Sequence, residues 1–321
     1  MPKLRSLLLA AVALMALTAP GAAQSDYPNR AIRMVIPFPP GGSNDVVGRM
    51  VSTALGEKLG RQIIVDNRAG AGGSIGTAMV ATAPPDGYTL GVVSIAHAVN
   101  PWMYKLPYDP KAFAPVGLMA TGTNVLVIHP SLPVRSVKEL VALAKQKPGE
   151  LQYASAGVGS FQHLGTELFK LEAGIDLLHV PFKGGGPSMN DVLGGHTKIM
   201  MSSLVQTTPH IKSGRLLALA TGGKKRNPVL PDVPTVAEAG VPTYEALNWW
   251  GIVAPAGTPQ AIIDKLNAAL SQVQDMPDVQ KQFDLQGAAV QKMSPADFGK
   301  FVLTEMARWE RVVKQANIKA Q

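Results

Sequence analysis

Short apolar runs alternate along the chain with longer stretches in which apolar residues recur every three or four positions. Such runs are typical of buried strands, and this spacing is typical of amphipathic helices. The first unit has an apolar run at 34–37, a loop rich in proline and glycine, and then a helical pattern at 44–59. Repeated strand–helix units predict a mainly parallel sheet covered by helices.

The same patterns predict the other elements. Further strands are predicted at 63–65, 89–93, 125–128, 151–154, 175–180, 199–202, 216–221 and 249–254. Further helices are predicted at 75–82, 136–146, 187–193, 260–274, 277–286 and 295–316, and one begins at about 161. We expect loops facing a common cleft at 38–45, 66–74, 94–100, 155–160 and 183–186.

The strand–helix pattern restarts near residue 124 and returns to a buried strand after 248. We therefore predict two α/β lobes: 24–124 together with 248–321 form lobe 1, and 125–247 form lobe 2. Each lobe is expected to be a mainly parallel sheet flanked by helices. Ligands of such sheets bind at the carboxyl ends of the strands, which places a binding site in the cleft between the lobes.

The first 23 residues have the pattern of a cleavable secretory signal. Two basic residues precede an apolar run at 7–17, and small residues match a cleavage site just before Gln24. The run is too short to span a bilayer. The chain has no cysteine, which excludes a disulfide framework and thiolate metal ligands. These features predict a periplasmic protein stabilised by its cores.

The formal net charge of +8 is spread along the chain, with Lys224-Lys225-Arg226 as a compact basic cluster. Nucleic-acid binding needs a basic stripe with interleaved aromatic residues, and no such stripe is present in the sequence. A mild positive excess fits the capture of a small anion, although a solvated surface explains it equally well.

The glycine-rich strings do not match nucleotide-binding fingerprints. Ile75 and Gln162 stand where a dinucleotide fingerprint needs its third glycine. Lys183 precedes its glycines, whereas the lysine of a phosphate-binding loop follows them. We therefore expect no nucleotide cofactor.

The sequence also lacks a recognisable catalytic or metal site. Ser160 and His163 do not form a hydrolase pair, because Val158 stands where a nucleophile elbow needs glycine. The six histidines show no metal-ligand spacing. We expect Ser160 to cap a helix, and His163 either faces the cleft or packs inside. We predict no catalytic residue, no metal and no cofactor.

The loop at 38–45 is the strongest candidate for anion binding. Gly41 and Gly42 let the backbone approach a ligand closely, and Ser43 is expected to cap the following helix. Free N–H groups at a helix N-terminus attract an anion. Asp45 either orients loop amides and water or simply complements the helix dipole. A structural turn without a ligand is the alternative.

Hydrogen-bond donors also follow other predicted strands, including Asn67, Ser94 and Ser160. These hydrogen-bond donors do not form a recognisable catalytic set. They suit a carboxylate ligand, because a carboxylate only accepts hydrogen bonds. A charge-assisted hydrogen bond contributes about 1.5–3 kcal/mol, and micromolar binding needs about 8 kcal/mol after association costs. A handful of well-placed donors therefore suffices without a buried arginine. The Trp249-Trp250 pair is read as strand core or hinge packing, and a stacking platform is the alternative.

From about residue 27 to the C-terminus, the sequence resembles the receptors of tripartite tricarboxylate transporters, the Bug or TctC family. The resemblance rests on a combination of motifs: VIPFPPGGSND at 35–45, VDNRAGA at 65–71, PPDGYTL at 84–90, GVGSFQHL at 157–164, PFKG at 181–184, LPDVPT at 230–235 and APAGTP at 254–259.

The resemblance implies a two-lobed periplasmic binding protein of the Venus-flytrap kind, type II-like and without catalysis, that binds a ligand carboxylate with loop amides and ordered water. The corresponding residues are Phe38, Gly41, Gly42, Ser43 and Asp45 on one lobe and Ala156, Gly157, Gly159, Ser160 and His163 on the other. Asn67, Ser94, Lys183 and Ser202 complete the predicted ligand-binding set.

The resemblance also implies a partner. A monomeric receptor would deliver its ligand to a two-component, ion-coupled permease of the inner membrane, and would contact the membrane only through that permease. The alternative is a receptor of the same fold that presents its ligand to a membrane sensor kinase.

One departure from the family pattern bears on the ligand. Many relatives carry an acid in a Met-Phe-Asp-like segment where this chain has Met200-Met201-Ser202-Ser203. In amino-acid-binding relatives such an acid pairs with the ammonium group of the ligand. We therefore expect a plain organic carboxylate, such as a dicarboxylate, a tricarboxylate or an aromatic acid.

Overall fold

The computed structural model describes residues 27–111, 113–316 and 318; the predicted signal peptide lies outside the described residues. Its strands are β1 (Ile32–Ile36), β2 (Ile63–Asn67), β3 (Thr89–Ser94), β4 (Phe113–Ile128), β5 (Gln152–Ser155), β6 (Leu178–Pro181), β7 (Ile199–Ser203), β8 (Leu217–Thr221), β9 (Leu247–Pro255) and β10 (Ala288–Ala289).

The helices of the described residues follow most of the strands. They are α1 (Ser43–Leu59), α2 (Ser74–Ala81), α3 (Ile95–Met103), α4 (Val137–Gln146), α5 (Phe161–Ala173), α6 (Gly185–Leu193), α7 (Leu204–Lys212), α8 (Gln260–Asp275), α9 (Pro277–Leu285) and α10 (Pro295–Gln315). A short 3-10 helix, Ala71–Gly73, precedes α2. None of these helices is both long and apolar enough to cross a membrane.

The strands form one curled, mixed sheet in the order β2-β1-β3-β9-β4-β7-β5-β6, and β8 and β10 also pair with β4. Pairing is parallel in the two outer groups, β2-β1-β3 and β7-β5-β6. It is antiparallel in the centre, where β9 and β4 pass between them. The prediction of parallel pairing is therefore correct for the outer groups. Each of the two central strands, in contrast, is antiparallel to both of its neighbours in the sheet.

Strand β4 connects the two groups, and the apolar pattern predicts only its last four residues. Its first part pairs with β9 up to Thr123, and its second part pairs with β7 from Asn124 and with β8 from Val125. Shifts in register interrupt the pairing with β9 near Val116 and Met119, which breaks the alternation of apolar positions that identifies a strand. The lobe boundaries at 124/125 and 247/248 stay a prediction.

The apolar cores lie on both faces of the sheet. Trp249 and Trp250 are both buried and belong to different clusters, because successive side chains of a strand point to opposite faces. The Nε1 atoms of Trp249 and Trp309 both donate to Glu305 Oε2, at 2.9 and 3.0 Å. This buried acceptor ties the C-terminal helix α10 to the crossing strand β9.

The sequence-based prediction is wrong for two segments next to the cleft. Residues 94–100, predicted as a loop, begin with Ser94 at the end of β3 and continue as helix α3, which runs on to Met103 and contains Pro101. Helix α7 is missing from the prediction and contains Pro209. A proline inside a helix removes one hydrogen bond and normally indicates a break. Both helices begin with consecutive buried residues, and tertiary packing overrides the weak local preference.

Candidate functional site

A small cavity, about 410 Å³ including its opening to solvent, lies between the two lobes at the carboxyl ends of the parallel strands. Residues from both lobes line it: Phe38, Ser43, Asn44, Ser94, Ala96, Ala156, Ser160, Phe161, Gln162, Gly185, Ser203 and Asn248. Among the described residues, none of those that line it carries a charge. Its polar surface therefore consists of hydroxyls, amides and the backbone.

Five helices begin at this cavity. Each of α1, α3, α5, α6 and α7 contributes its N-cap or a residue of its first turn to the lining. The first N–H groups of a helix have no partner within the helix, and the aligned peptide dipoles place about half a positive charge at that end. Five such ends directed at one space favour a bound anion, and a carboxylate accepts their hydrogen bonds.

In lobe 1, the residue that caps helix α1 is not the one that the sequence predicts. Gly42 occupies the N-cap position of α1 without a side-chain hydrogen bond, and Ser43 is the first helical residue. The predicted cap by Ser43 is therefore wrong. Because Ser43 is already inside the helix, its hydroxyl is left to line the cavity.

Asp45 holds the lobe 1 loop in place. Its Oδ2 accepts from the N–H of Gly41 at 3.0 Å, and its Oδ1 accepts from Arg49 Nε at 2.9 Å and Asn67 Nδ2 at 2.8 Å. Asn67 Nδ2 also lies 2.9 Å from the carbonyl oxygen of Phe38. Of the two alternatives for Asp45, the geometry therefore supports the one in which it orients a loop amide.

The loop of lobe 2 is held by uncharged groups. Ser160 caps α5, and its Oγ accepts from the N–H of His163 at 3.3 Å, as the sequence predicts. His163 Nδ1 accepts from the N–H of Gly159 at 3.2 Å. Ser155 Oγ accepts from the N–H of Gly157 at 3.1 Å and lies 2.6 Å from His179 Nε2.

The two imidazoles beneath this loop stack on each other, with ring centroids 4.1 Å apart. Burial, together with the charge of Lys170, lowers the pKa of His163 to about 4. Burial and the neighbouring His163 lower the pKa of His179 to about 3. Both rings are therefore neutral at neutral pH, and His163 packs under the loop rather than lining the cavity.

A buried network of amides and hydroxyls supports the cavity from the lobe 2 side. Gln162 Nε2 donates to Ser202 Oγ at 3.0 Å and to Gln206 Oε1 at 3.2 Å. Ser188 Oγ donates to Gln162 Oε1 at 3.3 Å. These bonds fix the Gln162 side chain at the cavity wall.

The predicted binding residues fall into three groups. Five line the cavity: Phe38, Ser43, Ser94, Ala156 and Ser160. Others stand behind it and position it, because their polar groups bond within the protein: Gly41, Asp45, Asn67, Gly157, Gly159, His163 and Ser202. Gly42 lies against a glycine of the other lobe, and Lys183 lines a neighbouring cavity.

The sequence analysis missed several lining residues. Asn44, Phe161, Gln162 and Gly185 lie in the first turns of helices, so a search of all first turns would have found them. Asn248 lies on β9 and has no such signal, because only the crossing of β9 between the lobes brings it to the cavity.

Direct contacts join the two lobes around the site. Tyr104 Oη, at the end of α3, donates to the carbonyl oxygen of Val158 at 3.1 Å. Gly42 Cα would lie 3.2 Å from a Cβ atom placed on Gly185, so the two backbones approach as closely as glycine allows. The lobes are therefore closed on each other in this structure.

Comparisons with known proteins agree with this geometry. The profile of the family described as "Tripartite tricarboxylate transporter family receptor" matches residues 47–318. Protein BugT of Bordetella pertussis is 37% identical over 312 residues, which cover 96% of this chain and 95% of BugT.

Two similar solved structures contain carboxylates. The structure of R. palustris Rpa4515 with adipate has a TM-score of 0.89 and 37% identity, and the match covers 92% of this chain and 100% of that one. MatC of Rhodopseudomonas palustris with bound malate has a TM-score of 0.85 and 34% identity, and the match covers 89% and 100% of the two chains.

The fold and the cleft between its halves define a two-lobed periplasmic binding protein, as the sequence predicts. More specifically, the chain belongs to the tripartite tricarboxylate transporter receptor family, which also contains the Bug proteins. This is a family of solute receptors, and the site described above contains donors for a ligand.

Proposed function

We propose that this chain is a periplasmic receptor that captures a small organic carboxylate between its lobes and delivers it to a tripartite tricarboxylate-type transporter. The observation that carries the proposal is the convergence of five helix N-termini on one cavity lined by residues without charge. Such a site balances the negative charge of a carboxylate with partial positive charges and hydrogen bonds. Among the described residues of its lining, no charged side chain favours a cation.

The proposed ligand has no amino group. No carboxylate side chain among the described residues lines the cavity, so an ammonium group would be buried there without a partner. Ser202, in the segment where many relatives carry an acid, bonds to Gln162 and is buried. Structures of relatives with adipate and malate support a dicarboxylate, and the family leaves tricarboxylates and aromatic acids as further candidates.

The transport role and location rest on the family and on the amino terminus. Receptors that serve such a transporter work in the periplasm, and the signal pattern at residues 1–23 supports export. We propose a monomer that releases its ligand to a two-component permease of the inner membrane. Uptake of a labelled ligand by cells that lack this gene should fall, and the full-length gene should restore it.

Binding is tested on the mature chain, 24–321, by a thermal-shift screen followed by calorimetry. The panel contains malate, adipate, citrate and benzoate, with aspartate and glutamate for comparison. A ligand at 100 times its Kd adds about 2.7 kcal/mol to the unfolding free energy, which raises the Tm by roughly 2–4 °C per kcal/mol in a large domain. Stabilisation by aspartate or glutamate alone would refute the proposal.

A further inference from the structure

A groove of about 860 Å³, including its opening to solvent, lies beside the strands that cross between the lobes and is called the hinge groove here. One wall belongs to lobe 1 and consists of Asp284 at the end of α9 and residues 287–289 around β10. The other wall is the lobe 2 segment Asn227-Pro228. Residues 121–123 of β4 and Leu247 of β9 form the floor. The hinge groove therefore has a wall from each lobe.

The hinge groove and the ligand cavity lie on opposite faces of the crossing strands. Asn248 lines the cavity and pairs with Gly122, where an added Cβ atom would lie 3.6 Å from Oγ of Ser203, another residue of the cavity lining. The next pair along the two strands, Thr123 and Leu247, lines the hinge groove. Because successive side chains of a strand point to opposite faces, these two side chains point away from the cavity.

Hydrogen bonds join the two walls at the floor of the hinge groove. Asn227 Nδ2 donates to the carbonyl oxygen of Gly287 at 3.2 Å and to Thr123 Oγ1 at 3.0 Å. The N–H of Thr123 donates to the same carbonyl oxygen, also at 3.2 Å. Both walls are therefore anchored to β4 at Thr123, and a rotation about this point changes the width of the groove above it.

Opening of the cleft narrows the hinge groove. The lobes are closed on each other in this structure, with contacts between Tyr104 and Val158 and between Gly42 and Gly185. A rotation about the crossing strands that separates these contacts on one face brings the walls of the groove together on the other face. The hinge groove is therefore wider in the closed receptor than in the open one.

We propose that the hinge groove sets the balance between the open and the closed receptor, so that a side chain that fills it holds the cleft closed without touching the ligand. Ala289 is suited to test this, because it is exposed and pairs with Thr121, which places its Cβ atom on the groove face. A bulky side chain there fits the closed receptor and obstructs the approach of residues 227–228 on opening. The effect on affinity, but not the effect on closure, rests on the proposed function.

The first test measures the width of the cleft without ligand. The chain has no cysteine, so Ala69→Cys and Lys183→Cys provide two unique sites for spin labels in the mature chain. These two exposed residues line the neighbouring cavity from opposite lobes. In the ligand-free protein, Ala289→Trp should shift the distance distribution between the labels to shorter distances, and Ala289→Leu should shift it less. An unchanged distribution, or a shift to longer distances, would overturn the proposal.

The second test is calorimetry on the unlabelled chains, with those of malate, adipate, citrate and benzoate that bind the wild type. Ala289→Trp should bind about three- to tenfold more tightly, because the closed fraction of the ligand-free receptor rises. Damage to the fold would lower the affinity instead. An unchanged or lower affinity beside a narrower cleft would overturn the link between the hinge groove and binding.

Ala142→Trp is the matched control. Ala142 is an exposed alanine of α4 that lies outside both the cavity and the hinge groove, so its replacement should change neither the label distance nor the affinity. An equal response in Ala142→Trp would contradict a specific role of the hinge groove. If none of the four acids binds the wild type, the proposed function fails, whereas the distance measurement still decides the inference about closure.

Discussion

The loop before α1 and the loop before α5 contribute to the same cavity, but different chemistry holds each of them. In lobe 1 a buried carboxylate, Asp45, is paired with Arg49 and fixes the amide of Gly41. In lobe 2 a serine cap and the neutral imidazole of His163 fix the corresponding turn. The first arrangement depends on an ion pair, and the second depends on the absence of a charge on His163.

The largest expected effect is the response of the lobe 2 loop to acid. The pKa of His163 is lowered from 6.5 to about 4, so the unfolded chain binds more protons than the folded chain between these values. The contribution of His163 to the unfolding free energy is therefore present above pH 6.5 and is lost as the pH falls, by about 3 kcal/mol in total.

Denaturant unfolding between pH 7 and pH 4 measures this loss. His163→Gln should remove a slope of about 1.4 kcal/mol per pH unit from the profile. In the folded chain His163 is protonated only near its lowered pKa of about 4, which deprives the Gly159 N–H of its acceptor, so ligand affinity of the wild type should fall only as the pH approaches 4. If the variant keeps the full slope, the difference drawn between the two loops is incorrect.

Asp45→Ala should have the next largest effect, since it removes the charge that fixes the lobe 1 loop. It leaves the Gly41 N–H and Arg49 without their acceptor. We expect the unfolding free energy to fall by about 2–3 kcal/mol and ligand affinity to fall about tenfold, as measured by urea unfolding and calorimetry.

Asp278→Ala is the control for Asp45, because Asp278 is an exposed acid in the first turn of α9. Its replacement removes only the interaction of the carboxylate with the helix dipole, which contributes about 0.3–1 kcal/mol to stability. Equal losses in the two variants would show that the network of Asp45 adds nothing to a simple dipole effect.

A pair of serine substitutions compares the two loops directly. Ser160 accepts the N–H of His163 as an N-cap, whereas Ser43 makes no capping bond. Ser160→Ala should lower the unfolding free energy by about 1 kcal/mol, and Ser43→Ala should change it by less than about 0.5 kcal/mol. Urea unfolding of both variants tests the asymmetry, which equal effects would contradict.

Tyr104→Phe is expected to have the smallest effect on stability and to act on closure. The variant loses the hydrogen bond from Tyr104 to the carbonyl of Val158 but keeps the ring. Because this bond joins the two lobes, its loss favours the open state, and a bond of about 0.5–1.5 kcal/mol corresponds to a two- to tenfold weaker Kd. Calorimetry and small-angle scattering with and without ligand measure both consequences, and an unaltered Kd would exclude a role in closure.

Much of the fold could be predicted from local sequence patterns. Helix α1 and strand β3 follow from the spacing of apolar side chains, which reports the side of an element that faces the core. The cap by Ser160 follows from the preference of serine for helix starts. These signals lie within a few residues of the feature that they predict.

The tertiary structure alone decided which groups are available to a ligand. The amides of Gly41, Gly157 and Gly159 look like ligand donors in the sequence, but each has an acceptor within the protein. Asn248 reaches the cavity because a central strand crosses there, and Lys183 falls into a separate space. Such assignments depend on contacts between residues far apart in the chain, whereas local sequence patterns indicated most of the strands and helices and the glycine-rich turns that those contacts bring together.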